Sequence, residues 1–567
     1  MASLLLPVVL LSACTNDYVS LDAVITPEST TVPVVQLPTS APTETVPEVL
    51  PTVLATPMPA TEPVPTPTLQ PEAGIGGGSM TAGDPAMAES SNETDQTADT
   101  AADVAGAFVP SASGYSSTGS QPSFVYRTQA GDTIPALAAR FGVRADEIVL
   151  STPVTSTGFL DPNMVLMIPR NETMQTTASL MLLPDSEVVY SPSGLDFDVK
   201  SFVENAGGYL NTYREYLNSA GWLDGAGVIE KVAIENSINP RVLLSILAYY
   251  SDWVYGQPVN EKAKNYPLGH IDETKKGLYS QLTWAVGELS QSYYGWREGI
   301  VTDITLQDGT RIHGAPELNA GTFAIQYLFA ILFDRATWEA AVYNQAGFAA
   351  FHEKLFGNPW IRASAVEPLF PATLTQPDFI LPFEKGVEWS FSGGPHAAWG
   401  ASGARAALDF SPSSAFSGCV ASNAWVLSVA SGVVTRSGSG VVALDLDGDG
   451  NEQTGWALLY MHIGNTDRVK VGDFLEQGQK IGHPSCEGGV STGTHVHIAR
   501  KFNGEWILAG GPLPFVMDGW EAHAAAQTYK GTLTRDGQVI NACTCGTRDT
   551  VIMRADDSPK SNPSGVE

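Results

Sequence analysis

Residues 15 to about 122 carry no apolar repeat of period 2 or 3.6 long enough to pack, so whatever folds in this chain folds after them. Prolines alternate with Thr, Val, Glu and Ala as far as Glu72, and a Gly, Ser, Ala and Asp-rich stretch follows from Gly74 to Pro122. That composition predicts a disordered, extended stalk over 15–122. The rest of the 567 residues is too long for one hydrophobic core and predicts a multidomain protein. With 60 Asp+Glu against 30 Lys+Arg the formal charge is −30, which disfavours nucleic acid and any long-range attraction to anionic lipid or wall polymers.

Ahead of the stalk, the apolar run Leu4 to Leu10 is too short to span a bilayer and reads as a signal-peptide core over residues 1–14. Its ending, Leu11-Ser12-Ala13-Cys14, resembles the lipobox of bacterial lipoproteins. That resemblance implies a lipid on Cys14, a membrane anchor and an extracytoplasmic location. No Lys or Arg precedes the apolar run, which departs from the usual pattern. Export permits disulfides. Cys419, Cys486, Cys543 and Cys545 can pair in three ways, of which Cys419–Cys486 is the first choice. A bond between Cys543 and Cys545, with a single residue between them, is expected to be strained.

Order is expected from Phe124. A strand through Tyr126 leads into the turn Gly131-Asp132, with Thr133 placed to cap a helix closed by Gly142. A second helix is expected over Arg144 to Leu150, and Met164 to Pro169 makes a closing strand. This β-α-α-β order, with Gly131-Asp132-Thr133, Phe141-Gly142-Val143 and the terminal Ile168-Pro169, resembles the lysin-motif (LysM) module over residues 124–170. The resemblance implies binding to N-acetylglucosamine-containing glycan such as peptidoglycan. Thr152-Pro153 stands where that family usually has Asn-Pro.

Residues 178–372 read as helices, with apolar residues at helical spacing over Val228–Ser237, Pro240–Tyr255, Ser280–Tyr294 and Ala320–Phe333. The stretches Asn239 to Leu247, Gly277 to Gln281 and Leu318 to Thr322 resemble the lysozyme-like fold of lytic transglycosylases. Where that family ends its first helix in Glu-Ser, this chain has Tyr250-Ser251, and Asp252 points about 100° away on a helix. A tyrosine is a poor proton donor to a glycosidic oxygen at neutral pH. The expectation is a lysozyme-like scaffold without glycosidase chemistry.

From Ile380 onward short β-type runs alternate with glycine turns, and six of the nine histidines fall here: His396, His462, His483, His495, His497 and His523. In Gly493-Thr494-His495-Val496-His497, the two histidines at i and i+2 of a strand face one side. A catalytic zinc needs about three protein ligands and an open position. Asp409, in the apolar run Ala406 to Phe410, is a carboxylate that would be costly to bury unpaired. His396 follows Gly393-Gly394-Pro395 on an expected glycine-rich loop, and His462 follows the strand-like Leu458 to Met461.

These residues resemble the lysostaphin-type peptidases, which are built on a small antiparallel β-sheet, and the resemblance covers about 385–510 within an all-β core placed at 380–510. It implies that His396, Asp409 and His497 hold Zn2+ and that His462 and His495 are the catalytic histidines. In many members the first histidine lies four residues before the aspartate, a place taken here by Arg405. The sequence Asp445-Leu446-Asp447-Gly448-Asp449-Gly450 opens like a calcium loop, but Trp456 holds the place of the bidentate Glu, and a solvated turn is favoured. His483 and His523 have no partner in the pattern, and 511–567 is expected to pack on the core through Trp520 and Tyr529.

The function expected from sequence is a zinc-dependent endopeptidase acting on peptidoglycan peptides, held at the wall by the upstream modules. A noncatalytic wall-binding protein that activates other hydrolases, and an enzyme that cuts glycan through the middle domain, stay open.

Overall fold

A computed structural model describes residues 123–150, 158–171, 173–413, 418–545 and 547–555. Cys14, the stalk and Thr152-Pro153 lie outside the described residues.

The small N-terminal module consists of β1 (Ser123–Arg127), α1 (Ile134–Phe141), β2 (Val149–Leu150) and β3 (Val165–Pro169). Thr133 caps α1 by accepting from the Ala136 amide, and Gly142 at φ 62° ends it in the left-handed region, as the sequence predicts. The second expected helix does not form. Ala145–Glu147 is a single 3₁₀ turn, and Val149–Leu150 joins the sheet instead, giving the strand order β1-β3-β2. With three residues between Arg144 and Ile148, the segment is too short to repay helix nucleation.

The helical region begins with α2 (Asp185–Val188), α3 (Val199–Ala206) and α4 (Tyr209–Thr212), followed by a hairpin of β4 (Arg214–Leu217) and β5 (Gly221–Asp224). Next come α5 (Gly225–Asn236), α6 (Pro240–Tyr250), α7 (Glu261–Asn265) and the long α8 (Leu278–Glu298). A second hairpin, β6 (Asp303–Thr305) with β7 (Arg311–His313), leads into α9 (Ala320–Leu332). Three helices close the region: α10 (Arg335–Tyr343), α11 (Phe348–Phe356) and α12 (Pro359–Ala363). Asn239 caps α6, whose first residue is Pro240, and Asn319 caps α9. The α6 helix stops at Tyr250, five residues short of the expected end, because Ser251 turns extended.

The C-terminal region is β-rich. Its main sheet runs in the order β14-β11-β12-β13-β16-β9-β8-β22. The strands are β8 (Glu388–His396), β9 (Ala407–Pro412), β10 (Val426–Leu427), β11 (Gly432–Gly438), β12 (Val441–Asp445) and β13 (Trp456–Met461). They continue with β14 (Phe474–Leu475), β15 (Lys480–Gly482), which pairs β10 outside the main sheet, β16 (Val496–Phe502) and β17 (Glu505–Trp506), which pairs β16. A second sheet holds β18 (Val516–Met517), β19 (Trp520–Ala524), β20 (Gly531–Arg535) and β21 (Gln538–Asn541), and β22 (Val551–Met553) returns to pair β8. Every residue of β13 is buried, as suits a central strand covered on both faces.

Two apolar cores support this region. One, around Phe383, Trp389, Phe410, Tyr460 and Ile498, fills the inside of the β-domain. The other is continuous from the helices into Ala406, Leu459, Ala499 and Trp506 on the opposite face of the sheet. At about 1.5–3 kcal/mol per fully buried large apolar side chain, both are substantial sources of stability.

Candidate metal centre and active site

Four strands place the key side chains in one row. Gly393 on β8 stands opposite Asp409 on β9, Asp409 opposite His497 on β16, and His497 opposite Met461 on β13. Directly opposed residues have β-carbons about 4.5–5.5 Å apart, close enough for their side chains to share one atom between them. His396 is the last residue of β8, whereas the sequence reading put it on a loop. Two irregularities in β8, between Phe391 and Gly393 and between Gly393 and His396, bring it beside Ala407 and turn its ring inward.

His396 Nε2 and His497 Nδ1 each lie 3.3 Å from Asp409 Oδ1, and the two nitrogens are 3.0 Å apart. All three residues are buried. The other ring nitrogen of each histidine donates to a backbone carbonyl, His396 Nδ1 to Gly394 O at 2.8 Å and His497 Nε2 to Ala398 O at 3.1 Å. Such bonds fix which nitrogen faces the centre. Asp409 Oδ1 is buried and makes no hydrogen bond. Two nitrogens and an orphaned carboxylate oxygen that converge in this way form a donor set suited to a borderline-soft divalent metal such as zinc. Burial alone would raise the Asp409 pKa, but the charge of His396 and the nearby His497 and His495 rings outweigh it and hold it well below the usual carboxylate range.

His462 and His495 close the open side. Their ring centroids are 4.3 Å apart, and His495 Nε2 lies 3.7 Å from Asp409 Oδ1. Each ring is oriented by its Nδ1, His462 to Glu487 O and His495 to Gly493 O, both at 2.8 Å. His462 has φ 63°, a left-handed conformation that costs free energy in a non-glycine residue. The Ser485 amide and hydroxyl both donate to its carbonyl, at 2.6 and 3.0 Å, and hold it there. Burial, with the neighbouring His495 and His497, pushes the His462 pKa down to about 3, so its ring is neutral near pH 7.

Other parts of the rim were only partly legible. Tyr529 was expected to pack on the β-domain, but not over the site. Its ring stacks on His396 with centroids 4.1 Å apart, and backbone bonds join Tyr529 to Gly394 and Pro395. Cys419 and Cys486 are bonded, tying the loop before β10 to the loop that carries Glu487. Cys543 and Cys545 are bonded as well. His483 donates to Ala424 O and packs on Trp425, and His523 bonds the Thr534 hydroxyl, so neither joins the cluster. Asp445, Asp447 and Asp449 lie close together in a turn where Asp445 accepts the amides of Asp447 and Gly450.

Residues 417–508, which include His462, His495 and His497, match the model of peptidase family M23. The chain carries an M23 peptidase domain. His396 and Asp409 lie upstream of the matched span, on the strands that complete the M23 sheet. Residues 181–369 match the LasA N-terminal domain, so the helical region preceding the M23 domain is LasA-like. Protease LasA of Pseudomonas aeruginosa is 25% identical over 362 residues, covering 60% of this chain and 78% of LasA. Among solved structures, the M23 metalloprotease pseudoalterin from the deep sea is 26% identical, covers 30% of this chain and 96% of its own, and superposes with a TM-score of 0.25. The catalytic domain of lysostaphin from Staphylococcus simulans is also 26% identical, covering 22% of this chain and 89% of its own, with a TM-score of 0.16. A zinc-containing peptidase from Vibrio cholerae is 23% identical, covering 24% of this chain and 40% of its own, with a TM-score of 0.17.

Proposed function

We propose that the M23 domain is a zinc-dependent endopeptidase that hydrolyses peptide bonds of bacterial peptidoglycan, in a protein exported and anchored through a lipid on Cys14. The observation that carries this reading is the convergence of His396 Nε2, His497 Nδ1 and the orphaned Asp409 Oδ1 on one point. These three residues would hold the metal. When bound, zinc supplies a Lewis acid for the scissile carbonyl and lowers the pKa of water towards about 7.

The chain's own groups do the rest. His462 and His495, each with Nδ1 tied to a carbonyl, present Nε2 to the open side, where one can accept a proton and the other donate one to the leaving amine. The depressed pKa of His462 favours its neutral, proton-accepting form, and the more open His495 is the better placed to carry charge towards an oxyanion. His396 and His497 are fixed by Gly394 and Ala398, so little reordering accompanies metal binding. The LysM-like module is assigned to glycan, which would raise the local concentration of attached peptide. Tyr250, half-buried with its hydroxyl against Gly269, offers no carboxyl for glycosidic cleavage.

The test separates binding from chemistry. His462→Ala and His495→Ala should keep about one zinc per chain yet lose cleavage of peptidoglycan peptides by 10²-fold or more, as removal of a general acid or base does. Asp409→Ala should lose both. Cleavage that survives Asp409→Ala would contradict the reading.

A further inference from the structure

Arg405 lies in the segment that joins His396 to Asp409, next to the start of β9. Its side chain is mostly buried and is engaged on two sides: the guanidinium pairs with Glu298 Oε1 on α8 at 2.6 Å and donates to the Ala525 carbonyl at 3.1 Å. The Arg405 carbonyl accepts the Ala509 amide at 2.9 Å.

From Arg405, hydrogen bonds lead to both histidines that face the metal. Along the chain, the neighbouring Ala404 carbonyl accepts the Ala398 amide at 2.9 Å, and the Ala398 carbonyl accepts His497 Nε2 at 3.1 Å. Across the guanidinium, Ala525 begins a turn in which its amide donates to Lys530 O at 3.2 Å. Tyr529 in that turn accepts the Gly394 amide, donates to Pro395 O and stacks on His396, and the Gly394 carbonyl orients His396 Nδ1. The segment has little room to shift. Gly403, at φ 131°, passes α8 so closely that a β-carbon on it would stand 3.1 Å from the Ser290 β-carbon. Ala398 and Ala404 are buried in the core shared with the helices.

We propose that Arg405, anchored by Glu298, is a positioning residue for the metal centre, setting the carbonyls of Ala398 and Gly394 and through them the rings of His497 and His396. The proposal rests on the reading that those histidines hold a metal. A guanidinium suits the task because its planar fork reaches a carboxylate and a carbonyl in fixed directions, whereas an ammonium is a flexible point charge. The effect is geometric: a cation nearby repels a metal dication, so loss of the charge alone would tighten metal binding.

Competition with a chelator measures the zinc affinity of the full chain, and the absorption bands of the cobalt-substituted chain report the geometry around the metal. Arg405→Met should weaken zinc binding about tenfold, the low end of the cost of disturbing a ligand's support, and should shift the cobalt bands. Arg405→Lys keeps the charge and one of the two bonds, and should recover affinity to within about threefold of the unaltered chain. Glu298→Ala leaves the guanidinium unanchored and should shift the same bands. Leu289, buried about half a turn round α8 from Glu298, provides the control: Leu289→Ala should lower the melting temperature and leave both metal readouts unchanged. Unchanged zinc affinity and cobalt bands in Arg405→Met would overturn the proposal, as would an equal loss in Leu289→Ala. If Arg405→Met does not fold, unchanged bands in Glu298→Ala would overturn it. An unaltered chain that takes up no zinc would overturn the metal reading itself, and this proposal with it.

Discussion

At Gly393 a β-carbon would stand 2.4 Å from Asp409 Oδ2, closer than real side chains approach. The glycine therefore makes room for the carboxylate that faces His396 and His497. Gly393→Ala should push that carboxylate out of line and weaken zinc binding by about 10–100-fold, the usual cost of disturbing a group that supports a metal ligand. Zinc titration with a competing chelator measures it, with circular dichroism to show that the fold persists. At this scale the sequence was informative where chemistry is carried by spacing. The pair His495 and His497 and the carboxylate Asp409 could be read from strand periodicity and from the cost of burying a charge. The place of His396 could not, because Gly393-Gly394-Pro395 signals broken pairing without telling a loop from a strand that continues through two irregularities to His396. Tyr529 over His396 was hidden for a similar reason: its contact is made by backbone pairing across more than 130 residues.

Among elements, α2, α6, α11 and α12 are joined by a buried polar chain. Ser245 Oγ meets His352 Nδ1 at 2.7 Å, His352 Nε2 meets Glu187 Oε1 at 2.9 Å, and Arg362 donates twice to Glu187. Burial lowers the His352 pKa below its ordinary value, although Glu187 opposes this, so the unfolded chain takes up a proton below about pH 6.5 that the folded chain resists. The Glu187 pKa is depressed by His352 and Arg362 against the effect of burial, and its contribution, present above the ordinary carboxylate value, is lost as pH falls through the lowered one. Both groups make stability fall on acidification. Urea unfolding followed from pH 7 to pH 5 should show a declining midpoint, and His352→Gln should flatten that decline while lowering stability at pH 7. An unchanged slope in the variant would show that His352 is not the group responsible. The helices themselves were visible as period-3.6 runs, and their caps at Asn239 and Asn319 followed from residue type. The expected helix over Arg144 to Leu150 failed because local periodicity in so short a segment does not outweigh pairing with β3.

For the molecule as a whole, Arg297 is where three regions meet: Ala130 in the N-terminal module, Asp185 in the helical region and Glu505 in the M23 domain. Removing a buried partner leaves charges unpaired and costs about 3–5 kcal/mol. Arg297→Ala should therefore increase cleavage by added trypsin or subtilisin between the regions, while the isolated sheet strands stay protected. The multidomain division was legible from changes in texture along the chain. The shared core was not, because Trp506 and Ala499 read equally well as interior residues of a β-domain standing alone. Zinc content and cleavage of purified peptidoglycan peptides should be measured side by side for the full chain and its His497→Ala variant. About one zinc per chain with peptide cleavage, both lost in the variant, is the predicted result; a folded chain that binds no zinc and cuts no peptide would contradict it.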